Sequence, residues 1–164
     1  MALPAALAWI LLPLVVPLCL YVAFTDLREM RITNQAVVAL AILYAALAWI
    51  ALPFEVYAWQ LVHLPVMLVI GIVLNAAGVM GAGDAKFLAA AAPYLALPDW
   101  RIMLIVYMTT LLTAFAAHRA AKHSPLRRLA PHWDSWEQGK KFPMGLALGP
   151  TLIVYLILGA IYGA

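Results

Sequence analysis

The stretch Leu3–Phe24, LPAALAWILLPLVVPLCLYVAF, is apolar from end to end and contains no charged residue. A helix needs about 20 apolar residues to cross the hydrocarbon core of a bilayer, and this stretch has that length. A secretory signal has a shorter apolar core of about 7–15 residues behind a basic segment. Here the first basic residue is Arg28. We therefore interpret the stretch as a retained membrane-spanning helix.

The rest of the chain has the same apolar character. Of its 164 residues, 67% are hydrophobic and only 10% are charged, whereas a soluble domain carries about 25% charged residues. Because so few polar side chains cannot cover a surface in water, we predict an all-α polytopic membrane protein with about six transmembrane helices. Residues 1–164 have room for a single membrane-embedded domain. The predicted spans are Leu3–Phe24, Gln35–Leu52, Trp59–Val79, Ala85–Leu97, Ile102–His118 and Phe142–Ile161.

Positive charge is concentrated in two of the connections between spans. Arg28 and Arg31 follow the first span, and a basic loop at about residues 119–141 joins the fifth span to the sixth. The positive-inside rule places such loops in the cytoplasm. Both loops lie on that side only if the short fourth segment crosses the membrane. We therefore expect six crossings in the inner membrane, with both termini outside the cytoplasm.

The basic loop also contains Trp133 and Trp136 between its charges. This pattern is typical of a segment that lies on the anionic inner leaflet, with aromatic rings at headgroup depth. We expect no nucleic-acid partner, because topology already explains the positive charge. The single cysteine, Cys19, excludes an internal disulfide and a cysteine metal cluster.

Two aspartates stand at the predicted cytoplasmic ends of spans. Asp26 follows the first span, and Asp84 lies within Gly81–Lys86, GAGDAK, between the third and fourth spans. An ionisable residue flanked by apolar runs is costly and is a functional-site candidate by default. A simple helix end is the alternative interpretation of Asp26, and a tight turn is the alternative for the glycines around Asp84.

Asp26 and Asp84 are our candidate catalytic residues. Two carboxylates held close together cannot both ionise cheaply, so they share a proton. One takes a proton from water, and the other donates a proton to the carbonyl oxygen and then to the leaving amine. Such a pair needs no metal, and we expect no cofactor. Which aspartate is the base stays open, because a coupled pair titrates as a unit.

Three blocks of the chain resemble the type IV prepilin peptidase family. Residues 26–34, DLREMRITN, are similar to its first aspartate block, which typically ends in Ile-Pro-Asn. Residues 81–86 match its Gly-x-Gly-Asp-x-Lys signature, and residues 142–149, FPMGLALG, resemble its last-helix motif. The resemblance implies an aspartic protease that removes leaders from prepilin or pseudopilin substrates at the cytoplasmic face. It implies catalytic roles for Asp26 and Asp84, and substrate-binding or site-shaping roles for Arg31, Asn34, Gly81, Gly83 and Lys86.

The chain departs from the family pattern in two places. Thr33 replaces the usual proline of the first block, which we expect to loosen that loop. Longer members carry an N-terminal cytoplasmic insertion with two cysteine pairs, and they also methylate the new N-terminus. Because this chain has neither, we expect peptidase activity without methyltransferase activity, as in the short members associated with tight-adherence (Flp-type) pili.

Two other functions stay open at this point. One is a non-enzymatic transport or pilus and secretion assembly subunit, in which Asp84 serves ion passage. The spans hold few polar residues for such a path apart from His63 and Asn75, and we interpret His63 as an interhelical hydrogen-bonding residue. The other is a Gly-x-Gly-Asp protease acting on other membrane proteins, although such enzymes carry both aspartates well inside long helices. We expect Lys86 to snorkel to the interface or to bind the leader or a lipid phosphate.

Overall fold

The computed structural model describes residues 1–139 and 141–163. These residues form six α-helices and no β-strand, which confirms the predicted all-α fold. The helices are α1 (Ala5–Glu29), α2 (Asn34–Leu47), α3 (Phe54–Ala76), α4 (Ala82–Ala91), α5 (Trp100–Lys122) and α6 (Gly145–Tyr162). Four of them, α1, α3, α5 and α6, are long and apolar enough to cross a membrane. The two shorter helices, α2 and α4, continue as 3-10 turns to Ile50 and Tyr94.

The predicted spans follow the order of these helices but differ at their ends. Helix α1 continues past Phe24 to Glu29, where Met30 adopts a left-handed conformation with φ 50° and ends it. Asp26 therefore lies inside the last turn of α1 and not beyond the helix. Helix α4 begins at Ala82 behind the extended Gly81, which places Asp84 in its first turn.

Helices α1 and α6 form the centre of the molecule. They share the largest helix–helix interface, in which fully buried side chains such as Leu11 and Val15 of α1 lie in one core cluster with Leu152 and Leu156 of α6. Over an apolar stretch of 18 residues in each helix, 39% of the residues of α1 and 50% of those of α6 are buried. The corresponding fractions are only 11% for α3 and 6% for the segment that contains α5, so these two helices lie at the periphery.

Asp99 connects three segments at the end of the molecule that is remote from Asp26. It is only 4% exposed. Its carboxylate accepts hydrogen bonds from the N–H of Ala2 at 2.9 Å and of Leu3 at 3.0 Å, and from the hydroxyl of Tyr155 at 3.1 Å. The segment before α1, the start of α5 and the second half of α6 are therefore held together by one side chain.

We predict that Asp99→Ala lowers the free energy of unfolding by about 3 kcal/mol or more, because three donors lose their acceptor and each buried unpaired group costs about 1–3 kcal/mol. Unfolding in mixed micelles, followed by circular dichroism, measures the change. Tyr155→Phe is the comparison variant: it removes one of the three donors and also the acceptor of the buried Ala96 N–H, so it should cost about 1–3 kcal/mol. Wild-type stability in Asp99→Ala would contradict the assigned role.

Candidate active site

The seven residues selected from the sequence line one cavity of about 860 Å³. Asp26 comes from the last turn of α1 and Asp84 from the first turn of α4. The other five come from the α1–α2 connection and from the start of α2 and of α4. They are Arg31, Asn34, Gly81, Gly83 and Lys86. Segments that are distant in the sequence thus converge on one site, with a carboxyl group from each of two helices.

The start of α6 holds the carboxylate of Asp26 in place. Asp26 is 5% exposed, and its Oδ2 accepts a hydrogen bond of 2.6 Å from the backbone N–H of Gly145. A Cβ atom at position 145 would lie 2.9 Å from the Cβ of Asp26. Only glycine permits so close an approach of the two helices. Gly145 therefore both admits Asp26 and orients it.

Asp84 lies ahead of the apolar part of α4 and outside the four long helices. Burial of this carboxyl group first, and the negative charge of Asp26 second, raise the pKa of Asp84 to about 6, against a smaller lowering by the Gly81 N–H. The loss of hydration disfavours the ionised form, and a like charge nearby does the same. The charge of Asp26 therefore opposes the ionisation of Asp84.

Three positively charged side chains line the same cavity as the carboxyl groups. Arg31, Lys86 and Lys141 all line the cavity. Nζ of Lys86 donates a hydrogen bond of 3.0 Å to Oδ1 of Asn34, which links α4 to the start of α2. Lys86 and Asn34, selected from separate sequence blocks, are thus direct partners, and both are exposed.

Thr33 does not loosen the loop in the way that we expected. Its hydroxyl oxygen accepts a hydrogen bond of 3.4 Å from the N–H of Ala36 and caps the start of α2. Its φ of −75° also falls within the range that proline adopts. The same backbone conformation therefore suits either residue, and the threonine side chain adds a helix cap.

The basic loop packs on the protein more closely than its sequence indicated. Trp136 is 5% exposed, where we expected a ring at headgroup depth. Its ring stacks on His118 of α5 with a centroid distance of 5.1 Å, and Trp133 meets Phe24 of α1 edge-on at 5.9 Å. The apolar ends of α1 and α5 offer these rings a protein surface to cover. Lys140, which belongs to the predicted basic loop, lies outside the described residues.

His63 lacks the hydrogen bond that we expected for it. Its Nε2 atom is buried and has no partner within residues 1–139 and 141–163. The residue lines a second cavity whose other walls are almost entirely apolar. The ring of His63 instead lies edge-on to Trp59, with a centroid distance of 6.2 Å.

Several lining residues were not selected from the sequence. Tyr107 of α5 lines the active-site cavity together with Phe142 and Met144, which precede α6. An aromatic residue inside an apolar helix gives no signal that distinguishes it from packing. Phe142, Met144 and Gly145 do belong to the third block, FPMGLALG. That block resembles the last-helix motif of the family, but the resemblance assigned no role to its individual residues.

Comparison with known proteins gives one match. Residues 13–118 match the family model described as the Type IV leader peptidase family. The match includes Asp26 and Asp84, and the block at residues 142–149 lies beyond it. No curated protein and no solved structure matches the chain. Because the family match covers more than half of the chain, the protein belongs to the Type IV leader peptidase family and is a peptidase of the prepilin type.

Proposed function

We propose that this peptidase is an aspartic endopeptidase that removes the leader of type IV prepilin-like substrates, with Asp26 and Asp84 as the catalytic pair. The observation that carries the proposal is that the two carboxyl groups line one cavity and that the charge of Asp26 contributes to the raised pKa of Asp84. Membership of a peptidase family argues against the transport and assembly alternatives.

The chemistry follows from one proton shared between two carboxyl groups. The ionised carboxylate removes a proton from a water molecule, whose oxygen attacks the carbonyl carbon of the scissile peptide bond. The protonated carboxyl group donates its proton to the carbonyl oxygen. When the tetrahedral intermediate collapses, the C–N bond breaks and the amine leaves with a proton from the pair. Because the pKa of Asp84 is about 6, a fraction of its carboxyl groups stays protonated near neutral pH and can donate this proton.

The other selected residues suit contact with the substrate. Arg31, Asn34 and Lys86 are exposed at the rim of the cavity and carry hydrogen-bond donors. Gly81 is exposed and leaves backbone without a side chain beside Asp84, which gives room for a substrate strand, whereas Gly83 allows Ile32 to pack closely, since a Cβ there would lie 3.3 Å from the Cβ of Ile32. We assign these five residues to substrate binding and to the shape of the site, and we assign the reaction to the aspartates.

The proposed topology places the site at the cytoplasmic face of the inner membrane. The cavity lies at the same end of the molecule as the basic loop, since Lys141 lines it and Trp133 contacts Phe24 beside the site. The opposite end carries Asp99, Met1 and Tyr162, where the Met1 ammonium donates a hydrogen bond to the Tyr162 carbonyl. The positive-inside rule then orients the site inwards. The segment that follows Asp84 extends to Asp99 at the opposite end of the molecule. This length supports a membrane crossing by that segment.

We predict that Asp26→Asn and Asp84→Asn each reduce leader removal by at least about 100-fold, because asparagine keeps the shape of the side chain but cannot exchange a proton in general acid–base catalysis. Co-expression with a prepilin that bears a short basic leader, followed by gel electrophoresis, detects the loss. Asp134→Asn, in the exposed part of the basic loop, is the matched control and should retain activity. Leader removal by either active-site variant would refute the paired-carboxylate mechanism.

We also predict that Asp26→Asn lowers the pKa of Asp84 from about 6 while leaving it above the ordinary value of 3.8, because a like charge is removed and burial remains. Titration of ¹³C-labelled aspartate carboxyl groups by NMR in detergent micelles measures this shift. Asp134→Asn should leave the titration of Asp84 unchanged. An unaltered pKa in Asp26→Asn would show that the two carboxyl groups do not interact.

A further inference from the structure

A second cavity of about 740 Å³ opens between α3 and α5 and adjoins the active-site cavity. Four residues line both cavities: Met80, Leu88, Tyr107 and Leu148. The second cavity, here called the apolar groove, therefore borders the cavity that Asp26 and Asp84 line. The position of the groove makes it an extension of the site.

The apolar groove follows α4 along its length. Met67 of α3 and Met103 of α5 line its two sides, and Ala91 of α4 and Leu152 of α6 line its floor. It extends from the surroundings of Asp84 to Leu97, close to the other end of the molecule. The helical segment from Ala82 to Tyr94 covers about 20 Å at 1.5 Å per residue. The groove is thus long enough to accompany several turns of a membrane-spanning helix.

The two helices that flank the groove are the least covered in the protein. Over an apolar stretch of 18 residues, only 11% of the residues of α3 are buried, and only 6% of those of the segment that contains α5. The floor contains the small residues Ala91 and Ala92, and small residues at a membrane helix surface allow a second helix to approach closely. His63 of α3 also lines the groove.

We propose that the apolar groove receives the apolar segment of the substrate that follows the scissile bond. This inference rests on the proposed function, because it requires a cleaved bond at the aspartates. A helix seated in the groove continues towards Met80 and Leu88, so the peptide bond just ahead of it lies at the two carboxyl groups. The shared border of the two cavities argues for this occupant over a lipid chain, since a lipid has no reason to end beside the two carboxyl groups.

Disulfide cross-linking in lipid vesicles tests the proposal directly. Met67→Cys and Met103→Cys are placed in the Asp84→Asn background, and a single cysteine is moved along the apolar segment of a leader-bearing substrate. Native Cys19 is fully buried and stays in place. The matched controls are Val69→Cys on α3 and Ile105→Cys on α5, at side chains that are 61% and 64% exposed and lie outside the groove.

We expect both groove cysteines to cross-link at least about fivefold more than the controls, at substrate positions spaced three or four apart as on one helix face. Equal cross-linking at groove and control positions would overturn the proposal. So would absent groove cross-links to a substrate that the wild-type enzyme cleaves, as expected if lipid fills the groove. Failure of the wild-type enzyme to cleave that substrate would overturn the proposed function as well, which separates the two failures.

A blocking substitution gives an independent measurement. Ala91→Trp should raise KM for the membrane-inserted substrate by at least about tenfold and leave cleavage of a short leader peptide without the apolar segment unchanged. Ile105→Trp adds the same ring outside the groove and should change neither. Equal loss with both substrates, or no loss with either, would contradict a docking role for the groove that is separate from the catalytic site.

Discussion

The hydrogen bond from the Gly145 N–H to Asp26 joins residues 119 positions apart and sets the geometry of the active site. It forms because α1 and α6 pack along their length and because residue 145 has no side chain. Helix α4 packs against both α2 and α6 and presents Asp84 to the same cavity. The carboxyl pair therefore depends on contacts between the first, fourth and last helices, and we expect a change in any of these helices to move the two carboxyl groups relative to each other.

The same packing explains why the protein has an open side. Because α1 and α6 are buried against each other, the remaining long helices, α3 and α5, each have most of their surface uncovered. The space between them lies over α4 and borders the cavity that the aspartates line. A membrane peptidase must admit an apolar substrate segment as well as water, and these two requirements are met by adjoining cavities with different linings. The polar cavity carries the charged residues, and the groove carries methionine, leucine and alanine.

The sequence was sufficient for the all-α fold and for the seven residues that share the active-site cavity, because apolar runs, basic loops and a two-aspartate pattern are properties of the chain itself. The helix ends required the structure, since the left-handed Met30 and the extended Gly81 decide whether each aspartate lies inside a turn. Thr33, Trp136 and His63 behaved differently from expectation because capping, ring stacking and an apolar neighbourhood depend on tertiary contacts. Tyr107 had no sequence signal at all.

The central claim is that Asp26 and Asp84 act as a pair that holds one proton, and the pH dependence of kcat/KM for leader cleavage tests it most directly. The account predicts a bell-shaped profile. Activity falls as pH rises beyond the range in which Asp84, with its pKa of about 6, keeps a proton, and it falls at low pH when the second carboxylate is also protonated. A profile that keeps rising to about pH 9, with no alkaline decline, would contradict the claim.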